Sequence, residues 1–303
     1  MRGKRFSTGL RATLLAIFTV TAFVTGTLAA TEKVLHNFQS NFRDGFNPDA
    51  GLIFDGSGNL YGTTFYGGAY GAGRVFELTP AKDGGWTEKV LHNFGKGTDG
   101  FYPYAGLVFD PSGNLYGTTQ SGGAYNYGTA FELTPKAGGG WTEKVLHSFN
   151  YPNAATPWAG LTVDSSGNLY GTTRSSGAYG VGTVFELTPK AGGGWKEKVL
   201  HNFNGSNGKD GASPVAGLIS DSSGNLYGTT QSGGTYYVGT VFELTPKAGG
   251  GWTEKIVHNF DSNNHKDGYS PIAGLIIDAT GNLFGTTYSG GTYGYGTVFE
   301  IKP

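Results

Sequence analysis

The stretch Gly58-Asn59-Leu60-Tyr61-Gly62-Thr63-Thr64 decides the fold because it occurs five times along the chain. The further copies lie at 113–119, 167–173, 224–230 and, with Phe284 in place of the Tyr, 281–287. The copies start 54 to 57 residues apart, at positions 58, 113, 167, 224 and 281. A unit of this length is close to the size of a four-stranded propeller blade, so the spacing predicts a repeat protein built from β-sheets.

One repeat contains four strand-like segments separated by turns and loops. In the first repeat they are strand a at 51–55, strand b at 59–64, strand c at 74–79 and strand d at 86–94. Neighbouring apolar residues such as Val75 and Phe76 place apolar groups on both faces of a strand. This pattern is typical of sheets packed between two others, so we expect each repeat to form one antiparallel blade.

The two ends of the repeat array are each incomplete. Residues 297–303 have the pattern of a strand c that no strand d follows, whereas 31–38 have the pattern of a strand d that no strand c precedes. Pairing of these two segments would complete the missing unit and leave no sheet edge open. The predicted fold at 31–303 is therefore an all-β, five-bladed β-propeller with four antiparallel strands per blade, closed by the N-terminal strand pairing with the C-terminal strand. An open solenoid is the alternative.

Composition restricts the class of protein and its partners. The 21 basic and 22 acidic residues give a formal net charge of −1, so the broad positive surface of a nucleic-acid-binding protein is missing. The sequence has no Cys, which excludes disulfides and a cysteine-linked lipid anchor. Core burial then has to supply the stability, and a domain of this length can provide it. We expect a monomer without a cofactor.

The N-terminus has the pattern of an export signal. Four basic residues form a positive region: Arg2, Lys4, Arg5 and Arg11. An apolar run follows at 12–24, and small residues place a cleavage site after Ala29 or Ala30. We predict a signal peptide at 1–30 and a secreted or periplasmic mature protein with no membrane segment. An uncleaved anchor is the alternative, although the apolar run is shorter than the ~20 residues of a spanning helix.

All length variation between repeats falls in the connector from strand d to the next strand a. The connectors are 39–50, 95–105, 150–159, 204–216 and 261–273. In an antiparallel meander these connectors and the loops between strands b and c lie at the same end of the blade. One face of the propeller is therefore expected to collect the sequence variation and to bind a ligand.

Candidate ligand-binding residues on this face fall into four groups. The first residue of the b–c loop differs between repeats: Phe65, Gln120, Arg174, Gln231 and Tyr288. A Tyr recurs within each loop: Tyr70, Tyr125, Tyr179, Tyr236 and Tyr293. Four connectors carry an Asp before a Gly: Asp44, Asp99, Asp210 and Asp267. The last candidate is Trp158, which lies in a connector, whereas the other Trp residues open strand d.

This mixture of side chains is typical of a carbohydrate site. Aromatic faces can contact the C–H surfaces of sugar rings, while amides and carboxylates can bind hydroxyl groups. For the recurring Tyr the alternative is structural: each ring wedges between two blades with its hydroxyl bonded to the backbone. The residues that differ between repeats are the stronger candidates, because periodic packing alone explains a residue that is constant.

Metal binding and catalysis have less support in the sequence. A His recurs in strand d, at His36, His92, His147, His201 and His258. Equivalent positions in different blades lie too far apart to share one ion, so these residues are expected to be structural. Near-identical blades give their carboxylates equal environments, whereas a glycosidase needs unequal ones. We therefore predict no catalytic residue, no metal and no enzymatic activity; a glycan-active hydrolase using Asp49 or Asp261 is the alternative.

The repeat resembles a bacterial family of exported proteins. Residues 106–119 (Gly-Leu-Val-Phe-Asp-Pro-Ser-Gly-Asn-Leu-Tyr-Gly-Thr-Thr) and 121–133 (Ser-Gly-Gly-Ala-Tyr-Asn-Tyr-Gly-Thr-Ala-Phe-Glu-Leu) are similar to the GloVer tandem repeat of the choice-of-anchor tandem repeat GloVer-containing proteins. The similarity covers essentially all of 31–303. The family name implies a C-terminal anchoring segment, but this sequence ends within the last repeat, so the resemblance implies secretion rather than attachment.

A looser similarity suggests the class of ligand. Leu-Tyr-Gly in a five-fold repeat is similar to the lectin tachylectin, a five-bladed propeller whose sugar sites lie between blades. By this analogy we expect a secreted binding module with glycans as the leading ligand class. A structural or protein-interaction scaffold at the cell surface is the second hypothesis.

Overall fold

The computed structural model of the protein describes residues 31–40 and 44–303. The signal peptide predicted at 1–30 lies outside these residues. Every strand in the described residues belongs to one compact unit, Leu35–Pro303. Within the same residues, no helix has the length and apolar character needed to cross a membrane.

Each of the five blades begins with a two-residue strand a and continues with longer strands. Strand a is Ile53–Phe54, Val108–Phe109, Thr162–Val163, Ile219–Ser220 and Ile276–Ile277. Strand b is Leu60–Thr64, Leu115–Thr119, Leu169–Thr173, Leu226–Thr230 and Leu283–Thr286. Strand c is Arg74–Pro80, Thr129–Pro135, Thr183–Pro189, Thr240–Pro246 and Val298–Ile301. Strand d, in blades 1 to 4, is Trp86–Asn93, Trp141–Ser148, Trp195–Asn202 and Trp252–Asn259.

The strands of a blade pair antiparallel in the order a, b, c, d. Strand b is buried along its whole length in blades 1 to 4, as expected for a sheet covered on both faces. This packing requires the glycine of Leu-Tyr-Gly, because a Cβ atom at Gly117 would lie 2.6 Å from Cζ of Phe131. The prediction of an all-β, five-bladed β-propeller is confirmed.

Adjacent blades contact each other through repeated pairs of residues. Between blades 2 and 3, the rings of Phe149 and Phe185 lie 4.9 Å apart, and Thr118 Oγ1 donates a hydrogen bond to the carbonyl of Ala159 at 2.8 Å. All four junctions from blade 1 to blade 5 have such a Phe pair, at 4.9 to 5.2 Å, and such a Thr bond, at 2.8 to 3.3 Å. The blades are thus joined by one set of contacts that the repeat itself encodes.

The fourth strand of blade 5 differs from the prediction. Residues 31–39 contain no strand, and in the described part of the chain the sheet of blade 5 has three strands, so the predicted closing strand pair is not formed. Phe38 still packs against Phe76 of blade 1 at 5.2 Å, as the Phe that follows strand d packs against the next blade elsewhere. Val298 is 82% exposed, whereas the equivalent Val241 is fully buried. A short turn favours pairing of strands c and d within a blade, but no local turn favours pairing of segments at opposite ends of the chain.

Each connector pairs with the b–c loop of the blade that it enters. Two-residue strands form four of these pairs: Gly45–Phe46 with Tyr66–Gly67, Gly100–Phe101 with Ser121–Gly122, Gly211–Ala212 with Ser232–Gly233, and Gly268–Tyr269 with Ser289–Gly290. In blade 3 a bridge between Ala155 and Ser175 takes their place, and the fourth connector also holds the 3-10 helix Gly205–Asn207. The prediction that connectors and b–c loops share one face, here called the loop face, is confirmed.

Candidate binding surface on the loop face

Backbone hydrogen bonds hold each connector in a defined geometry on the loop face. The residue before the connector proline has a positive φ in every blade: Asn47 58°, Tyr102 65°, Thr156 61°, Ser213 54° and Ser270 54°. This conformation is uncommon for non-glycine residues, above all for a β-branched Thr. The N–H of Thr156 donates to the carbonyl of Tyr127 in the preceding blade at 2.9 Å, and its own carbonyl accepts from the N–H of Arg174 at 3.1 Å. These bonds determine where the residue after the proline lies.

Four side chains form a continuous row on the loop face, which we call the aromatic row: Phe65, Tyr104, Trp158 and Arg174. The ring of Tyr104 lies 5.8 Å from Phe65 and 5.4 Å from Trp158, measured between ring centroids. The guanidinium carbon of Arg174 lies 4.2 Å from the centroid of the Trp158 ring. Tyr104, in the middle of the row, is 41% exposed. The row therefore offers apolar ring faces, a phenol hydroxyl and one positive charge to a single extended ligand.

Two polar groups of the aromatic row lack a hydrogen-bond or ion-pair partner among the described residues. The indole Nε1 of Trp158 is buried and has no hydrogen-bond partner. Arg174 belongs to none of the ion pairs formed within 31–40 and 44–303. A guanidinium group stacked on an aromatic ring still presents its N–H donors at the edge, where a carboxylate can bind in bidentate fashion.

The structure brings three of the predicted residues, Phe65, Trp158 and Arg174, into the aromatic row. Gln120, Gln231 and Tyr288 occupy the same position in blades 2, 4 and 5, where the backbone N–H of each donates to a connector carbonyl at 3.0 to 3.1 Å. Tyr104 was not predicted. It follows Pro103 as Trp158 follows Pro157, so an aromatic residue at that position in two connectors was the signal that could have identified it.

The recurring Tyr residues of the b–c loops are solvent-exposed. Their exposed fractions are 53% for Tyr70, 56% for Tyr125, 58% for Tyr179, 42% for Tyr236 and 87% for Tyr293. The alternative interpretation, in which each ring wedges between two blades, is therefore wrong. No ring contact joins these residues to the aromatic row in the described part of the chain, so they form separate exposed positions.

The Asp residues predicted for ligand binding lie away from the row, beside the His residues. Oδ1 of Asp99 accepts a hydrogen bond from the N–H of Gly100 at 2.7 Å, and its Oδ2 lies 2.8 Å from Nε2 of His92. Asp210 and Asp267 approach His201 and His258 in the same way, at 3.1 and 3.2 Å. In the remaining pair, Asp44 Oδ2 lies 3.7 Å from His36 Nε2.

A glutamate from strand d of the next blade lies close to three of these pairs: Glu88, Glu143 and Glu254. Burial and the charge of Asp99 raise the pKa of Glu143 to about 7, whereas His92 lowers it. The sequence interpretation treated the His residues as too far apart to share one ion, and no two of them lie in the same group. Each of three His residues has an Asp and a Glu of its own within 4.8 Å, an arrangement that comparing the His residues with one another does not reveal.

Comparisons with known proteins identify a repeat family and related folds. The sequence profile described as Gloeobacter/Verrucomicrobia repeat matches residues 11–209 and 138–303. Comparison with curated proteins gives no significant match. A solved structure of a proposed 6-phosphogluconolactonase from Bacteroides uniformis is similar, with a TM-score of 0.52 and 13% identity over 88% of this chain and 70% of that chain.

Two further solved structures show weaker similarity. An exo-1,5-α-L-arabinanase from a bovine ruminal metagenomic library has a TM-score of 0.38 and 10% identity over 87% of this chain and 95% of that chain. An α-L-arabinofuranosidase from Clostridium thermocellum has a TM-score of 0.39 and 11% identity over 70% of this chain and 72% of that chain.

The similarity with a TM-score of 0.52 corrects the prediction that the protein is not an enzyme. The structure with a TM-score of 0.52 shares the propeller fold and is described as an enzyme, so this fold gives no reason to exclude catalysis. At 13% identity the similarity concerns the fold alone, and it transfers neither an activity nor a residue role to this chain.

Proposed function

The chain belongs to the Gloeobacter/Verrucomicrobia repeat family, and from this premise we propose that it is an exported propeller that binds carbohydrate at the aromatic row of its loop face. The observation that carries the proposal is the sequence of contacts from Phe65 through Tyr104 to Trp158, with Arg174 stacked on the last ring. Ligand sites combine apolar and aromatic surface with a few polar groups that fix orientation, and the row has this composition.

The chemistry of the row favours an acidic sugar. The aromatic faces suit the C–H surfaces of pyranose rings, and the phenol hydroxyl of Tyr104 can bind a sugar hydroxyl. Arg174 has no carboxylate partner among the described residues, so the carboxylate of a uronic acid is its natural ligand. We therefore propose that the ligands of the site are oligosaccharides that contain uronic acid.

A protein-interaction scaffold is the second candidate function. Its support is the set of exposed loop residues Tyr70, Tyr125, Tyr179, Tyr236 and Tyr293. Tyr is enriched at protein–protein interfaces because it offers a large apolar area and a polar tip at a low entropy cost.

Glycan binding can be tested with a protein that spans 31–303. It should be applied to an array of neutral and acidic oligosaccharides, and the strongest ligand should be titrated by calorimetry. We expect Trp158→Ala to weaken binding by roughly tenfold or more, which corresponds to ~1.4 kcal/mol or more. Arg174→Ala should weaken binding of a uronic-acid ligand more than that of a neutral one.

Val215→Ala is the matched control, because Val215 follows Pro214 as Trp158 follows Pro157 but is not aromatic. This variant should bind as the unmodified protein does. If no oligosaccharide on the array binds, or if the Trp158 variant binds with undiminished affinity, the proposal is overturned. The protein-interaction scaffold then remains as the candidate function. Release of reducing sugar in the same samples would assign a catalytic activity in addition to binding.

The proposed location can be tested separately by fractionation of cells that express the full chain. Export predicts a product that lacks 1–30 outside the cytoplasm. A full-length product in the membrane fraction would instead support the uncleaved anchor.

A further inference from the structure

Three groups of one His, one Asp and one Glu lie at blade junctions outside the aromatic row. The groups are His36 with Asp44 and Glu88, His92 with Asp99 and Glu143, and His201 with Asp210 and Glu254. One nitrogen or oxygen atom from each residue lies within 4.8 Å of the other two. In the second and third groups the His and the Asp belong to one blade and its connector, whereas the Glu belongs to strand d of the next blade. Each of these groups therefore links two blades.

The first group contains a positive charge supplied by the chain itself. The side chain of Arg74 is 2% exposed, and its Nη2 contacts both Asp44 Oδ1 and Glu88 Oε1. The side chains of Asp44 and Glu88 are 16% and 15% exposed, so each carboxylate has lost most of its hydration and a nearby positive charge compensates that loss. The first group thus shows that this place in the repeat accommodates a cation between the Asp and the Glu.

The second and third groups have the same carboxylates but no arginine. Thr129 and Thr240 stand at the repeat position of Arg74, and their hydroxyls bond to the Thr residues of strand b at 2.8 Å. The Oε1 atoms of Glu143 and Glu254 are buried and have no hydrogen-bond partner among the described residues. Each of these groups therefore has buried carboxylate oxygen, an imidazole nitrogen and no positively charged side chain in the place of Arg74.

We propose that the second and third groups each bind a divalent transition-metal ion of the Zn²⁺ class. The ligands in the second group are His92 Nε2, Asp99 Oδ2 and the carboxylate of Glu143, a mixed nitrogen and oxygen set of the kind that binds zinc. Ligation uses the lone pair of His92 Nε2, so the proton that Nε2 now shares with Asp99 Oδ2 across 2.8 Å is released to solvent when the ion binds. It also gives Glu143 the positive neighbour that Glu88 has in Arg74.

The surroundings of the second group support ligation. The N–H of Gly100 donates to Oδ1 of Asp99, which orients the carboxylate and leaves Oδ2 directed at His92. Such an outer hydrogen bond is the usual support of a metal-binding carboxylate. Because His92 and Glu143 belong to blades 1 and 2, a bound ion would tie the two blades together and raise the thermal stability of the protein.

The decisive experiment is a calorimetric titration of chelator-treated protein, spanning 31–303, with zinc chloride. One ion in each of the two groups predicts two zinc ions per chain. The double variant Asp99→Asn with Asp210→Asn should lose both, with affinity reduced roughly a hundredfold or more. Glu197→Gln is the matched control. It lies beside His147 at 3.5 Å, in the equivalent junction that contributes no such group to the described residues, and it should still bind two ions.

A gain of a site provides the sharpest test. Arg74→Thr gives the first group the residue that stands in the second, so the variant should bind three ions and zinc should raise its melting temperature more than that of the unmodified protein. Absence of stoichiometric zinc, unchanged binding by the double Asn variant, or a folded Arg74→Thr variant without a third site would overturn the proposal. If the Arg74 variant fails to fold, zinc binding by the double Asn variant alone tests the proposal, because that variant retains Arg74.

Discussion

Blades 1 and 2 have closely similar sequences but different surroundings. Leu107 of blade 2 packs against blade 1 and is 6% exposed, whereas Leu52, its counterpart in blade 1, is 48% exposed. Blade 1 contains the buried Arg74 between two carboxylates, whereas blade 2 has Thr129 at the same position. Glu143 of blade 2 has a buried Oε1 with no hydrogen-bond partner among the described residues. The comparison teaches that the repeat determines the sheet, while the neighbouring blade and single substitutions determine burial and charge.

The largest expected difference between the two blades concerns Arg74 and Thr129. Arg74→Met should lower the free energy of unfolding by about 3–5 kcal/mol, because it removes a buried guanidinium that contacts both Asp44 and Glu88. Thr129→Val should cost about 1 kcal/mol, because it removes a hydrogen bond to Thr119 and retains the shape. Urea denaturation in the presence of chelator measures both values. Equal losses would show that the two junctions have the same electrostatics.

The second expected difference concerns the leucine that directly precedes strand a. Leu107→Ala should cost about 2–5 kcal/mol, because it opens a cavity between blades 1 and 2. Leu52→Ala should cost less than about 1 kcal/mol, because half of that side chain is already in contact with solvent. If the two losses are similar, blade 1 is covered in solution and the ring closes there.

The smallest expected difference concerns the His of strand d. In blade 1, His92 pairs with Asp99, but in blade 2 burial lowers the pKa of His147 from 6.5 to about 4. The unfolded chain then binds a proton that the folded protein does not, so the stability contribution of His147 decreases as the pH falls from about 6.5 to 4. NMR titration should place the pKa of His147 below its ordinary value, and His147→Gln should flatten the dependence of stability on pH in that window.

A His147 that titrates above its ordinary value would contradict this prediction. It would mean that His147 forms an ion pair with Glu197, whose Oε2 lies 3.5 Å from Nε2. Blades 1 and 2 would then be expected to differ only in the effects of Arg74 and Leu52.

Part of the candidate site could be predicted from the sequence, because some of its residues depart from the repeat pattern. Trp158 and Arg174 differ from the residues at their positions in other blades, and both lie in the aromatic row. Tyr104 was missed, although it occupies the same connector position as Trp158. A second aromatic residue at this position indicates a shared binding surface only when the two connectors are known to be neighbours. The 5.4 Å contact between the two rings depends on how blades 2 and 3 stack.

The His, Asp and Glu groups could not be assembled from the sequence. His92 and Glu143 recur in every repeat, but the pairs in contact come from different blades, so counting residues within one repeat places the wrong partners together. The absence of a strand at 31–39 could not be predicted from the sequence either, because that segment has the same sequence pattern as strand d in the other repeats.

The sequence by itself determined the five repeats, the strands of each blade and the shared loop face, because alternating turns and apolar runs act over a few residues. Only the tertiary structure decided which side chains meet across a junction and whether the ends of the array pair. Those contacts join residues about forty or more positions apart, such as Thr118 with Ala159. Their geometry depends on how whole sheets pack, which no local pattern specifies.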